Sequence, residues 1–350
     1  MTIPTKIHII SEFKNTPWGG GNQFLKALRD YLRSQSAYSE NIEKAQIVIV
    51  NGHQFGGHLW QLFYHIRTRK NLALIHRVDG PMEVVRDSKD NRIVDEAIAQ
   101  FNRSFASATI FQSSWSRDLC ITHGLDPNKP HVVVNNAPDP SIFYPTTLNQ
   151  SSDRFIKIIS TSWSSNWRKG FDIFQFLDEH LDFSRYQFTF IGNSPVGFRN
   201  IHYIQPLPSN ELADELRKHH IFLQASHFEA CSNSLIEAIN CGLVPVVRNN
   251  SSHPEIVGDS GILYEGIEDI IKAIDSAAKG RFSFSAKTSQ KITMAWAGSA
   301  YLNFAKEVSL APLAPPSLYE YLVTWVKWKM ASRPDIFFRL RALIGNWQRL

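Results

Sequence analysis

Short runs of β-branched and aromatic residues recur along the whole chain, and helical stretches separate many of them. The runs of the first half start at Lys6, Ile47, Leu72, Ala108 and His131, and those of the second half start at Phe155, Tyr186, Ile201, Ile221, Val244 and Gly261. Near-continuous apolar strands of this kind are typical of parallel sheets whose two faces are covered by helices. At 350 residues the chain also exceeds the size at which a single hydrophobic core is usual. The pattern predicts an α/β fold with two doubly wound, Rossmann-like domains.

The segment "NNAPDPSIFYPTTLNQSSDR" interrupts this pattern, because it contains three prolines and a run of Thr, Asn, Gln and Ser. We place the linker near residues 137–153 and predict domains at 1–145 and 146–308, followed by a helical tail at 309–350. Ligands of open α/β sheets bind beyond the carboxyl ends of the strands, so two such domains that face each other make a cleft. Functional residues are therefore expected just after strands.

Charge and cysteine content limit the classes of protein to consider. Of the net charge of +5, the last 40 residues carry +4, with six Lys and Arg against two Asp and Glu. The nearly neutral body argues against a general nucleic-acid binder. The three scattered cysteines form no C-x-x-C pair, the N-terminus lacks the features of a secretory signal, and no apolar run approaches the roughly 20 residues that span a bilayer. These features predict a cytoplasmic protein.

Two carboxylates stand eight positions apart in "FEACSNSLIEAINCGLVPVV", which follows the apolar run "IFLQAS". The spacing predicts a strand, a loop that carries Glu229, and a helix that carries Glu237, with Ser232 and Asn233 as candidate caps. Eight helical residues span about 12 Å, which suits a ligand with a sugar at one end and a ribose at the other. Free amides at the helix start would face a diphosphate between them. Spacing alone equally allows two solvated carboxylates.

This stretch resembles the E-x7-E signature of family 4 retaining glycosyltransferases, which are two-domain enzymes of the GT-B fold. The likeness includes Phe228, Glu-Ala at 237–238, Cys-Gly at 241–242 and Pro-Val at 245–246, and it continues into "HPEIVGDSGILYEG". The resemblance implies that Glu229 contacts hydroxyls of the donor sugar and that Glu237 contacts those of the ribose. It also implies that residues 1–145 hold the acceptor and that residues 146–308 bind the nucleotide sugar.

A second strand, loop and helix is predicted for "STSWSSNWRKGFDIFQFLDE", with the helix opening at Gly170 or Phe171. A departing nucleoside diphosphate gains negative charge, so a fixed cation beside it lowers the barrier. Lys169 resembles the lysine of the family's Lys-Gly pair. The family usually has an arginine five residues earlier, where this chain has Ser164. Either Arg168 supplies the second cation or the site works with one.

Three consecutive glycines lie in "NTPWGGGNQFLKALRDYLR", between the first apolar run and an amphipathic helix. Glycine lets backbone approach a ligand closely, but the spacing is not G-x-G-x-x-G. The family has a similar glycine pair that contacts donor phosphate or acceptor, which implies such a role for Gly20 and Gly21. The alternative is a flexible turn.

The run "LIHRVDGP" ends in His76, Arg77 and Asp79 before a Gly-Pro break. In the family, a histidine at the end of this strand reaches the donor sugar, and His76 matches it. Asp79 would orient His76 or bind the acceptor. A lone histidine at a strand end is also often purely structural.

Taken with the resemblance, these stretches predict a retaining hexosyl-type glycosyltransferase that moves a sugar from a nucleotide-sugar donor to a glycan or lipid-linked acceptor in cell-surface polysaccharide biosynthesis. No D-x-D triplet occurs, so no metal and no cofactor are expected. The alternatives are a GT-B sugar-nucleotide epimerase and a non-catalytic protein that binds nucleotide sugars as part of a larger assembly.

The tail after the Pro-rich "LAPLAPP" is basic and contains tryptophan. On a helical wheel one face collects Ile336, Leu340, Leu343, Ile344, Trp347 and Leu350. Arg339, Arg341 and Arg349 lie off that face, which is the pattern of an interfacial helix. Residues 317–350 therefore either contact an anionic membrane surface at the inner face of the membrane or pack on the N-terminal domain.

Overall fold

The computed structural model describes residues 5–11, 13, 20–54, 56–69, 71–146, 154–284, 292–309 and 316–332. These residues form two compact units. The first unit contains the described residues up to 11, those of Leu32–Val133 and those from Tyr301 onward. The second unit contains the described residues of Phe13–Tyr31 and of Val134–Ala300. The units therefore differ in bounds from the predicted domains, because the chain returns to the first unit after residue 300.

The first unit contains a sheet of five parallel strands in the order β1-β2-β3-β4-β5. The strands are β1 (Ile7–Ile10), β2 (Ile47–Asn51), β3 (Ala73–Val78), β4 (Ala108–Phe111) and β5 (His131–Val133). Every residue of β2, β3 and β4 is buried, as expected for central parallel strands. Among the described strands of this unit the order follows the chain and does not reverse.

Helices precede or connect these strands along the chain. They are α1 (Gly20–Ser34), α2 (Leu59–Thr68), α3 (Met82–Arg86), α4 (Arg92–Phe105) and α5 (Ser114–Thr122). In α4, buried residues recur at helical spacing, for example Ile98, Phe101 and Phe105. This spacing gives the helix one apolar face for the sheet.

The second unit contains six parallel strands in the order β11-β10-β9-β6-β7-β8. They are β6 (Ile156–Ser162), β7 (Tyr186–Gly192), β8 (His202–Ile204), β9 (Ile221–Gln224), β10 (Val244–Arg248) and β11 (Ile262–Tyr264). The chain builds outward from β6 through β7 and β8, then returns to start β9 on the other side of β6. This reversal is a topological switch point, and the carboxyl ends of β6 and β9 border it. Each apolar run predicted in the sequence contains one of these eleven strands.

The helices of the second unit cover its sheet on both faces. They are α6 (Phe171–His180), α7 (Ser209–Arg217), α8 (Asn233–Asn240), α9 (His253–Val257), α10 (Ile270–Phe284) and α11 (Met294–Val308), the last of which continues into the first unit. Successive strand residues enter different cores: Ile158 packs with Phe171 and Phe174, whereas Ile159 packs with Leu235 and Ile239. This alternation follows from the two-residue period of a strand.

The helix α12 (Leu318–Ser332) packs on the first unit. Its Trp328 is buried against Phe101, with ring centroids 5.7 Å apart, and Tyr321 lies 5.0 Å from Phe63. Residues 318–332 of the tail therefore pack on the first unit. The wheel face from Ile336 to Leu350 lies outside the described residues. None of the described helices combines the length and the apolar character needed to cross a bilayer.

Candidate functional site

A cavity of about 300 Å³ opens in the second unit at the switch point of its sheet. Its walls come from the segments after β6 and β9 and from the first residues of α1 and α8. The lining includes Gly20, Ser162, Lys169, Glu229, Asn233 and Glu237. The structure thus brings together six of the predicted site residues: Gly20, Lys169, Glu229, Ser232, Asn233 and Glu237.

The side chains of Lys169 and Glu229 form an ion pair inside this cavity. Lys169 ends a 3₁₀ turn, Trp167–Lys169, that Asn166 caps by accepting the backbone N–H of Arg168 at 2.9 Å. Its Nζ donates to Oε1 of Glu229, and the two side chains are only 28% and 15% exposed. Burial alone would raise the pKa of Glu229, but the charge and hydrogen bond of Lys169 outweigh it and lower that pKa. The carboxyl of Glu229 is therefore ionised at neutral pH.

Glu237 has a different electrostatic state from Glu229. Its side chain projects from α8 and is buried, and this burial raises the pKa of Glu237 to about 8. The carboxyl is consequently protonated at neutral pH, and it can both donate and accept a hydrogen bond. The two carboxyls of the motif thus offer one charged acceptor and one neutral donor-acceptor to a ligand.

The start of α8 supplies backbone donors to the same cavity. Ser232 is the N-cap, since its hydroxyl accepts the backbone N–H of Leu235 at 3.4 Å and a hydrogen bond from Gln224. Asn233 is the first helical residue, and its Oδ1 accepts from Asn136 at 3.0 Å. Of the two predicted caps, Ser232 is confirmed by this geometry. An anion placed here would meet the positive end of the helix dipole.

The two predicted glycines have different surroundings. Gly20 begins α1 and lines the cavity, and a Cβ atom at this position would lie 2.6 Å from Cγ of Asn233. Only glycine allows α1 to start this close to α8. A Cβ at Gly21 would meet nothing within 4 Å. Of the two predicted glycines, the structure therefore places Gly20 in the lining of the cavity, beside Asn233.

Arg168 lies beside the cavity-lining Lys169, with its guanidinium carbon 5.0 Å from the ring of Phe228. Its carbonyl accepts the backbone N–H of His227 at 2.8 Å. This bond joins the 3₁₀ turn that carries Lys169 to the loop that carries Glu229. Arg168 therefore helps to hold these two segments together, and its role as a second cation stays a prediction.

His76 and Asp79 lie at the carboxyl end of β3 in the first unit. His76 is fully buried, its Nε2–H donates to the carbonyl of Gly52 at 2.8 Å, and its Nδ1 accepts from Asn102 at 3.3 Å. Burial lowers the pKa of His76 to about 4, so the ring is neutral. The carboxylate of Asp79 is 39% exposed and accepts hydrogen bonds from Arg77 and Gln112. The structure thus shows structural contacts for His76, and contact with a donor stays a prediction.

Arg248 is a buried residue that the sequence patterns did not single out. Its Nη2 donates to Oδ2 of Asp172 at 3.0 Å, and its Nη1 donates to Nε2 of His227. Asp172 lies three residues after Lys169, and His227 lies two residues before Glu229. One guanidinium therefore ties together the two segments that carry the ion pair. The available signal was a charged residue at the end of the apolar run "VPVVR".

Ser251 also supports Glu229 and was not predicted. Its φ of 50° lies in the left-handed region, which residues other than glycine seldom adopt. Its hydroxyl accepts the backbone N–H of Glu229 at 3.2 Å. Strained backbone of this kind concentrates at functional sites. The strain here is located beside the charged pair.

The raised pKa of Glu237 predicts a pH-dependent stability. The unfolded chain releases this proton near pH 4.5 and the folded protein releases it near pH 8, so the folded state binds more protons in between. The free energy of unfolding should fall as pH rises across this window, by up to about 1.4 kcal/mol per pH unit. Glu237→Gln should flatten this part of the profile in urea unfolding measured at several pH values. The exposed Glu211→Gln is the control, and a Glu237→Gln profile as steep as that of this control would contradict the assignment.

Within the ranges that the structure describes, no group of three or more His, Cys, Asp or Glu side chains is arranged to hold a metal ion. Metal independence stays a prediction of the sequence.

Part of this cavity lies in a segment that matches a known protein family. Residues 198–293 match the family described as glycosyl transferases group 1, and they include both Glu229 and Glu237. The predicted glycosyltransferase family is thereby confirmed, and the matched segment supplies Glu229, Ser232, Asn233 and Glu237 to the cavity.

One relative in sequence is a component of the phosphatidylinositol N-acetylglucosaminyltransferase of Arabidopsis thaliana. It is 25% identical over 256 residues, which cover 67% of this chain and 55% of that protein. The chain therefore spans just over half the length of this relative. The match therefore concerns only part of that relative.

Solved glycosyltransferases share the fold over most of the chain. Sucrose-phosphate synthase from Thermosynechococcus elongatus is 13% identical with a TM-score of 0.60, covering 97% of this chain and 100% of that chain. HepE from Anabaena, in complex with UDP and glucose, is 13% identical with a TM-score of 0.59, covering 88% and 98%. A glycosyltransferase from Rickettsia africae is 12% identical with a TM-score of 0.57, covering 87% and 98%. At this identity the likeness concerns the fold, and it confirms the predicted GT-B fold class.

Proposed function

We propose that this chain is a retaining, metal-independent hexosyltransferase that moves a sugar from a nucleotide-sugar donor to a glycan or lipid-linked acceptor. The observation that carries the proposal is one cavity at the switch point whose lining combines the Lys169–Glu229 ion pair with Glu237 and the start of α8. HepE, a protein of the same fold, was solved with UDP and glucose, which supports a nucleotide-sugar donor. The proposed setting is cell-surface polysaccharide biosynthesis.

In the proposed reaction, the bond between the anomeric carbon and the diphosphate oxygen breaks while the acceptor hydroxyl attacks the same face of the sugar. The acceptor proton passes to the departing diphosphate. Lys169 and the first amides of α8 stabilise the negative charge that grows on that diphosphate. Glu229 accepts hydrogen bonds from hydroxyls of the sugar, and Glu237 bonds to hydroxyls of the ribose. The protein thus contributes position and charge rather than a covalent nucleophile.

Binding partners on the acceptor side form a further part of the proposal. A glycan or lipid-linked acceptor would be met at the inner face of a membrane, where residues 317–350 supply six of the chain's cations. The relative from Arabidopsis thaliana is named for the transfer of N-acetylglucosamine to phosphatidylinositol, which supports a lipid-linked acceptor as a candidate.

A thermal-shift screen of UDP-, GDP-, ADP- and dTDP-sugars tests donor binding. A ligand at 100 times its Kd stabilises the folded protein by about 2.7 kcal/mol, so one nucleotide class should raise the Tm by roughly 5–10 °C. Lys169→Ala should remove most of that shift. The control is Lys218→Ala, which breaks an exposed ion pair with Glu215 on α7. The proposal fails if no donor raises the Tm, or if the shift is as large in Lys169→Ala as in the control.

A sugar-nucleotide epimerase would bind the same donors, so a second measurement separates the two activities. An epimerase converts the donor in the absence of acceptor, whereas a transferase releases nucleoside diphosphate in step with glycan formation. A non-catalytic protein would bind the donor and release no nucleoside diphosphate.

A further inference from the structure

Two helices of the first unit present an unusual amount of apolar surface to solvent. Of the twelve large apolar side chains that are exposed among the described residues, six lie on α2 and α12. We call these six the aromatic face: Trp60, Tyr64, Leu318, Tyr319, Leu322 and Val326. Single exposed apolar residues are ordinary, but a contiguous patch on a protein marks an interaction surface.

The aromatic face is continuous across the two helices. Trp60 and Tyr64 stand one turn apart on α2, and Leu318, Leu322 and Val326 recur at every fourth position on α12, so each set shares one side of its helix. The ring of Trp60 lies 6.1 Å from that of Trp325, which joins the sets. An open groove of about 500 Å³ runs between the two helices.

The packing of α12 against the core does not account for this face. Core contacts use a neighbouring stripe of the helix, where Tyr321 meets Phe63 and Phe105, and Trp328 meets Phe101. In contrast, Leu318 is 69% exposed and Leu322 is 59% exposed. The helix therefore has one apolar side for the protein interior and a second apolar side that faces outward.

On α2 and α12, Lys and Arg outnumber Asp and Glu. Arg67 lines the groove, and α12 carries Lys327 and Lys329. α2 contains no Asp or Glu. The one acid of α12, Glu320, accepts hydrogen bonds from the backbone N–H and hydroxyl of Ser317 at 2.7 and 2.9 Å, which lower its pKa, and Lys129 lowers that pKa further.

We propose that the aromatic face of α2 and α12 inserts into the headgroup region of an anionic lipid bilayer. Exposed Trp and Tyr beside Leu are the side chains that settle at a bilayer interface, and Lys and Arg at the edge attract anionic headgroups. The following segment, residues 333–350, adds four arginines against one aspartate. This inference rests on the membrane contact of the proposed function and deepens it, because it names the surface of α2 and α12 that would make the contact.

Co-sedimentation of the full chain with vesicles tests the proposal. The vesicles contain equal parts of phosphatidylcholine and phosphatidylglycerol, and vesicles of phosphatidylcholine alone serve for comparison. Leu322→Glu and the double variant Trp60→Ala/Tyr64→Ala should each lower the partition coefficient on anionic vesicles at least about tenfold. Because these side chains are exposed, the variants should keep the Tm of the wild type. Point variants are used because removal of α12 would uncover Phe63 and Phe105.

The matched control is Leu263→Glu, which changes a leucine of the second unit that is 42% exposed. It should bind vesicles as the wild type does. The proposal is overturned if Leu322→Glu binds as tightly as Leu263→Glu, or if the wild type does not bind anionic vesicles. It is also overturned if the chain dimerises without lipid and Leu322→Glu abolishes the dimer, because the occupant is then a second copy. No nucleotide is needed, so failure here leaves the donor-binding proposal unaffected.

Discussion

Lys169→Ala and Glu229→Gln should each lower turnover about 10²–10³-fold while the protein stays folded. Lys169 is the cavity cation proposed to stabilise the departing diphosphate, and it is held in place by its ion pair with Glu229. Glu229→Gln removes the charge that holds the lysine and weakens the bonds proposed for the sugar hydroxyls. The measurement is the release of nucleoside diphosphate from whichever donor the thermal-shift screen selects.

The double variant gives a sharper test of the same assignment. Because Lys169 and Glu229 form one pair, the loss in Lys169→Ala/Glu229→Gln should be close to that of the worse single variant. The control is Lys218→Ala, since its ion pair with Glu215 is also formed by a lysine and a glutamate but the lysine is 58% exposed. Near wild-type turnover in either single variant would remove that residue from the proposed catalytic set.

The strands and the motif loops could be predicted because their signals are local. The run "FIKIISTS" becomes β6 and "VPVVRN" becomes β10, since each is a short apolar segment bounded by polar residues. The Ser232 cap is equally local, because it stands immediately before the apolar period of α8. Lys169 and Glu229 could both be placed at the carboxyl edge of a sheet, because each follows a predicted parallel strand.

The electrostatic difference between the two carboxyls could not be predicted from the motif. Lys169 precedes Glu229 by 60 residues in the chain, and it reaches Glu229 only because β6 and β9 are neighbours in the sheet. Burial raises the pKa of Glu237. The charge state of each carboxyl therefore depends on strand order, which the sequence leaves open. The link from Arg248 to Asp172 spans 76 residues and was missed for the same reason.

The tail shows a different limit of sequence patterns. An apolar helical face is required both for packing on a domain and for binding a bilayer, so the pattern alone left both alternatives open. The structure shows that α12 has two such sides, one at Tyr321 and Trp328 and one at Leu318 and Leu322. No sequence pattern marks Trp60 of α2 as part of the aromatic face, because its exposure depends on how α2 packs.

Gly170→Ala should cost about 3 kcal/mol of folding free energy and lower the Tm by roughly 6–12 °C. Gly170 has a φ of 92°, a left-handed conformation that costs other residues about 1–2 kcal/mol. A Cβ atom here would also overlap Ala225, lying 2.6 Å from its carbonyl carbon, and such overpacking costs about 1–3 kcal/mol. Relief of that overlap requires movement of the backbone, because most of the clashing atoms belong to the main chain.

The same substitution should reduce turnover by more than its effect on stability explains. Gly170 follows Lys169 directly, and Ala225 leads from β9 into the loop of Glu229, so separating the two backbones lengthens the ion pair. Turnover is compared with the wild type at a temperature where both proteins are folded. Gly197→Ala is the control, since a Cβ at that exposed position meets nothing within 4 Å. A Tm for Gly170→Ala equal to that of Gly197→Ala would show that the contact between the two loops is looser than described, and the rigid placement of Lys169 against Glu229 would then be wrong.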